Sequence, residues 1–197
     1  MECDVHLRRN VLVVFLCECN CVHAFVYLFF TKKIMDPFLF ILWIYLPAFV
    51  ANSVPVLVSG IPGICHWTQP IHEKIFGKNK TWRGLLCGVG AAMVVSALFV
   101  PAFESIPQKL LWGFLLGFGA LGGDLIESFI KRRIGLAPGK ALPFFDGVDY
   151  MVGGIAFGLF LFIPEGVFIV FLLLVGPILS LLANIIAYFL GLKNVWY

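Results

Sequence analysis

Six long apolar runs separated by short charged segments constrain this chain more than any other feature: Val11–Phe30, Pro37–Val58, Leu85–Phe103, Leu110–Ile130, Met151–Ile163 and Val167–Leu190. None alternates apolar and polar residues as a half-buried strand does, so each reads as helix. A spanning helix needs roughly 20 apolar residues, so the chain holds about five or six spans with short connections. With 61% of its 197 residues hydrophobic, the chain has too few polar side chains to clothe those helices in water, and the bilayer becomes its main solvent. The expected fold is all-α: a polytopic integral membrane bundle of about five transmembrane helices in one domain, with an extra hydrophobic segment at the N-terminus.

That extra segment is a poor span. Glu18, Asn20 and three cysteines interrupt it, and the basic pairs Arg8–Arg9 and Lys32–Lys33 flank both ends. No small-x-small cleavage pattern follows it, so it does not read as a signal peptide either. Met35 opens a much cleaner apolar helix; residues 1–34 are therefore expected to be an extension outside the functional protein, leaving 35–197 as a single transmembrane domain. The six cysteines give no disulfide framework, which belongs to small secreted domains with weak cores. The alternation Cys17, Cys19, Cys21 also lacks the paired spacing of structural zinc.

Basic residues in short loops set the orientation. Lys74, Lys78, Lys80 and Arg83 fall in one connection, Lys131, Arg132, Arg133 and Lys140 in another, and Lys193 in the tail, so these three segments are expected on the cytoplasmic side of the cell membrane. Trp196 and Tyr197 would sit in the interfacial aromatic belt. The formal net charge of +3 is too small to indicate a nucleic-acid partner; the partners expected from charge placement are membrane lipid and phosphate-bearing ligands.

Between Asp149 and Lys193 only Glu165 is charged, whereas Asp124, Glu127, Lys131, Arg132, Arg133, Lys140, Asp146 and Asp149 crowd together. On a helix, Asp124, Ser128 and Lys131 recur at i, i+4 and i+7 and share a face, with Glu127 beside it. Asp124 then lies inside an apolar span, where a carboxylate costs several kcal/mol unless it is paired, coordinates a metal or lines a wet cavity. Glu127 reads more simply as an intrahelical partner of Lys131. Asp146 and Asp149, three apart, would share the first turns of the fifth helix if it begins a turn or two before Met151, and with Asp124 offer the oxygen ligands that Mg2+ takes alongside substrate phosphates; capping by Asp146 is the plainer use. The basic triplet alone could be a positive-inside anchor. Gly77–Gly84 places small and basic residues just before a helix, a weak anion-binding signal that lacks the P-loop order.

Taken in order, Gly123–Arg133 (GDLIESFIKRR), Pro138–Lys140 (PGK) and Asp146–Asp149 (DGVD) resemble the CTP transferase signature of CDP-archaeol synthases, the archaeal relatives of phosphatidate cytidylyltransferases. Lys80–Gly84 (KTWRG), Ala51–Asn52 and Leu182–Asn184 are similar to that family's first loop motif and its polar positions in the first and last helices, so the resemblance covers roughly Met35–Tyr197. The chain departs from the pattern at Gly147, where a larger polar residue is expected.

The resemblance implies transfer of CMP from CTP to a prenylated glycerol phosphate lipid, 2,3-bis-O-(geranylgeranyl)-sn-glycerol 1-phosphate, with release of pyrophosphate. It implies Asp124, Asp146 and Asp149 as ligands of a Mg2+ cofactor, Lys131 and Arg132 as phosphate-binding groups, and Ser128, Gly139 and Lys140 as the rest of that cradle. Lys80, Thr81 and Arg83 would hold the nucleotide or lipid phosphate from the other loop. A homodimer is compatible with this reading and not required by it. A transporter using Asp124 as an ion site would not need Lys131, Arg132 and Lys140 in register, and the D-x2-D-G-x2-A-R order of CDP-alcohol phosphotransferases is missing.

Overall fold

The computed structural model describes residues 36–59, 68–136 and 147–192. Six helices make up the described chain: α1 (Pro37–Ser59), α2 (Glu73–Phe76), α3 (Trp82–Phe99), α4 (Ile106–Arg133), α5 (Asp149–Gly158) and α6 (Gly166–Phe189). Four of them, α1, α3, α4 and α6, are long and apolar enough to cross a membrane. Side chains such as Leu98, Ile126, Phe160 and Leu174 stand exposed on the outside of the bundle, as expected where lipid rather than water is the neighbour.

Helix ends follow local chemistry. The Thr81 hydroxyl accepts from the Gly84 amide at 3.2 Å and caps α3, which stops before Pro101. Ser105 caps α4 by accepting from the Gln108 amide, and Pro107 occupies its first turn, where a missing N–H costs nothing. The fifth helix differs from expectation. It starts at Asp149 and ends at Gly158, a rise of about 15 Å at 1.5 Å per residue, roughly half a bilayer core. Asp146 therefore precedes the helix instead of sharing its first turns, and the capping position falls to Val148, not Asp146.

The bundle packs around two different centres. Toward one end, Trp112 of α4 donates its indole N–H to the Ile44 carbonyl of α1 at 2.9 Å and meets the rings of Tyr45, Phe103 and Phe162. Trp112, Tyr45 and Phe162 are buried and Phe103 packs half-buried against them, which fixes α1, α4 and the turn after α5. Toward the other end the helices meet through glycine, which brings backbones together. The extension at residues 1–34, the tail Lys193, Trp196 and Tyr197, and Gly139, Lys140 and Asp146 lie outside the described residues.

Candidate active site

α4 carries the central residues. At 28 residues it rises about 42 Å, longer than the roughly 30 Å hydrocarbon core, and Asp124 sits nine residues before its last residue, about 14 Å in from that end. One turn on, Glu127 pairs with Lys131 at 2.8 Å, with both side chains about nine-tenths buried, and Ser128 is buried beside them. Asp124 is half-buried and makes its ion pair with a residue from elsewhere, Lys80.

Lys80 comes from a hairpin at the loop end of the bundle. The amide of Ile71 donates to the Lys80 carbonyl at 2.8 Å and that of Trp82 to the Gln69 carbonyl at 3.2 Å, closing a two-sided turn that holds α2 at its tip. Gly77, with φ at 92°, takes the left-handed conformation that ends α2. Lys80 is thereby pointed back over α4. Arg83 lies half-buried in the first turn of α3, the helix end at which a cation is disfavoured by the backbone dipole unless an anion joins it.

The third contributor arrives through a glycine seam. A Cβ on Gly123 of α4 would collide with the carbonyl oxygen of Asp149, and one on Gly153 of α5 with that of Gly119. With no side chain at these positions, the start of α5 lies directly on the middle of α4. Asp149 is consequently brought level with Asp124 of α4. Carboxylate oxygens of Asp124, Glu127 and Asp149 all fall within 4.8 Å of one another.

These residues fit a hard divalent cation. Mg2+ takes oxygen ligands at about 2.0–2.1 Å, so two ligands on opposite sides of the ion stand about 4.2 Å apart. Only one of the three pairs can be opposed, and neighbouring ligands stand about 2.9 Å apart, so oxygens that lie within 4.8 Å of one another would draw together by up to about 2 Å through side-chain rotation. Three carboxylates against the two ammonium groups of Lys80 and Lys131 leave a net negative charge in a confined space, which favours a cation.

Asp124, Glu127, Ser128, Lys131, Asp149 and Lys80 converge on one place. Thr81 uses its oxygen as the α3 cap. Arg132 donates to the Leu136 carbonyl, while its Nε is buried without a hydrogen-bond partner next to Gly77 of the hairpin. Glu127, read from sequence only as the partner of Lys131, is in the acidic group as well. Its i, i+3 spacing from Asp124 was the available signal. Gly147 is also explained: a Cβ there would lie 2.6 Å from the Pro177 Cα of α6, so no larger residue fits.

Residues 34–197 match the model of the CarS-like CDP-archaeol synthase family. The chain is similar to the CDP-archaeol synthase of Thermococcus onnurineus, 40% identical over 168 residues that cover 82% of this chain and 98% of that protein. Against the CDP-archaeol synthase of Methanococcus aeolicus the identity is 37% over 180 residues, 83% of this chain and 97% of the other. A solved intramembrane enzyme of archaeal membrane lipid biosynthesis superposes with a TM-score of 0.61 at 27% identity, covering 73% of this chain and 92% of that one. Four helices long and apolar enough to span a membrane, an acidic group paired with Lys80 and Lys131, and matches over nearly the full length of these relatives place the chain in the CDP-archaeol synthase family.

Proposed function

We propose that the chain transfers CMP from CTP to 2,3-bis-O-(geranylgeranyl)-sn-glycerol 1-phosphate at the cytoplasmic face of the cell membrane, using Mg2+. Family membership makes it a membrane cytidylyltransferase of archaeal lipid synthesis. The observation that carries the residue assignment is the convergence of Asp124, Glu127 and Asp149 with Lys80 and Lys131 from three separate elements. The loop-end basic residues support the cytoplasmic orientation.

The nucleophile needs no base. A phosphate monoester has its second pKa near 6 and is a dianion at neutral pH. One lipid-phosphate oxygen forms a bond to the α-phosphorus of CTP while the bond to the bridging oxygen breaks, and pyrophosphate leaves with the electron pair. What the protein must supply is position and charge balance. Asp124, Glu127 and Asp149, joined by Asp146 from the preceding loop, would hold the cation. Mg2+ bound there supplies neutralisation of the triphosphate and of the departing pyrophosphate. Lys80 from the hairpin and Arg132 from the last turn of α4 would bind phosphate oxygens, with Arg83 at the α3 start, Lys140 and the Gly139 backbone completing the cradle. Lys131, fixed by Glu127, adds its charge from below. Ser128 lines the same face of α4.

The test is turnover by the purified full chain in lipid nanodiscs with labelled CTP, Mg2+ and the prenylated glycerol phosphate. Equal amounts of CDP-lipid and pyrophosphate are expected. Incorporation that occurs without the lipid phosphate, or none with it, would overturn the reading.

A further inference from the structure

We infer that the cleft between α1 and α6 on the loop side is the seat of the glycerol–diether segment of the lipid phosphate. This rests on the cytidylyltransferase reading above for the identity of the lipid. The seam between the two helices is uneven. At the outer end it is sealed, with the Phe38 ring 5.5 Å from Phe168 and 4.8 Å from Phe171, both edge-on. Toward the loop end it opens into a cleft of about 150 Å³ lined by Asn52, Ser180, Asn184, Val56, Leu57 and Ile186, among others.

Polar side chains at this depth are often interhelical glue. Glue would close the seam. Here the bond from Asn52 Nδ2 to Ser180 Oγ is long at 3.4 Å, and a cleft remains beside it. The position relative to the reaction is fixed by contacts. Tyr150, next to Asp149, donates to the Gly176 carbonyl of α6 at 2.8 Å and stacks edge-on with Phe49 of α1. Ser180 follows Gly176 by one helical turn and Asn52 follows Phe49 by nearly one, so the cleft begins roughly 5 Å along the helices from the level of Tyr150, the neighbour of Asp149.

Its chemistry selects a part of the substrate. None of the described lining residues is charged, so they offer no partner for the triphosphate or the lipid phosphate, which would sit with Lys80, Lys131 and Arg132. Carboxamide and hydroxyl donors suit ether oxygens, which only accept. Val56, Leu57 and Ile186 continue the lining into an apolar margin, with Leu57 and Ile186 exposed where prenyl chains would pass into the bilayer. The volume matches a glycerol unit and is far too small for two prenyl chains.

The experiment reads occupancy separately from turnover. In the full chain in nanodiscs, Ala183→Cys places a thiol on the cleft lining, and its reaction with N-ethylmaleimide is followed by peptide mass spectrometry. The prenylated glycerol phosphate should slow that reaction about tenfold or more, and CTP with Mg2+ should leave it unchanged. Asn52→Leu and Asn184→Leu should raise KM for the lipid about tenfold, the effect of one lost hydrogen bond, with KM for CTP within about twofold, and Asn184→Gln should recover part of the loss. Protection by CTP alone, or no protection by the lipid in a protein that turns over, sinks the cleft and leaves the enzyme reading standing. Protection by the lipid without any CDP-lipid formation does the reverse.

Discussion

Lys80 pairs with Asp124 across 44 positions of sequence, tying the hairpin before α3 to the middle of α4. The pair closes the site from the loop side and places an ammonium group where the nucleotide phosphates would arrive. Lys80→Ala is expected to lower the rate of CDP-lipid formation about 10²-fold, the usual effect of losing one charge that stabilises developing negative charge. Both side chains are about a quarter exposed, so solvent screening holds the stability cost to about 1 kcal/mol. Rates and thermal unfolding measured on one preparation decide this; a rate loss below about threefold removes Lys80 from the chemistry.

Asp146→Asn, Asp149→Asn and Glu127→Gln are each expected to cut turnover by at least about 10²–10³-fold while leaving the protein folded. Glu127→Gln is the discriminating variant. If Glu127 serves only Lys131, the glutamine weakens that pair and leaves Mn2+ affinity, read by EPR, as in the parent. If it belongs to the acidic group, Mn2+ binding weakens together with the rate.

Neighbouring glycines of α4 give a paired comparison. Gly123→Ala would drive a methyl into the Asp149 carbonyl, whereas a Cβ on Gly122 meets nothing within 4 Å. The first should separate α5 from α4, costing about 1–3 kcal/mol and most of the activity. Gly122→Ala should be neutral or slightly stabilising, as alanine is the better helix former. Equal behaviour of the two variants would argue against the seam.

Exposed Lys78 and Arg133 lie at one end of the bundle and Glu104 at the other. In oriented vesicles, Lys78→Cys and Arg133→Cys should be modified from the cytoplasmic side by an impermeant reagent, and Glu104→Cys from the opposite side only. Labelling of the first two from different sides contradicts both the fold and the Lys80–Asp124 pair.

The family match begins at residue 34. A chain started at Met35 is expected to insert and to keep at least half of the full-length rate; insertion with complete loss of activity would assign residues 1–34 a functional part.

The spans were legible because hydropathy reports them directly: α1 and α6 match their apolar runs to within a residue at each end. Ends that depend on polar chemistry were not. α3 begins three residues before its run because the Thr81 cap permits Trp82 and Arg83 to be helical, and α4 runs on through Lys131–Arg133, whose charges suit a helix C-terminus. α5 stops at Gly158, short of its apolar run, because the chain then turns to bury Phe162 against Trp112. At the site, the shared face of Asp124, Ser128 and Lys131 follows from helical spacing alone. The approach of Asp149 to Glu127 depends on the absence of side chains at Gly119, Gly123 and Gly153, and the Lys80–Asp124 pair on how a loop folds back. No local pattern encodes either.

The start of α5 beside Gly123 also dictates what must cover the backbone there. The turn at Gly147–Val148 leads into the helix at the depth of Asp124, and amide groups there that lack helical partners would each cost several kcal/mol in hydrocarbon. Such backbone is tolerated only where protein or water covers it, and Pro177 of α6 lies directly against Gly147. The sixth helix therefore shelters from the bilayer the very turn that delivers Asp149 to its partners.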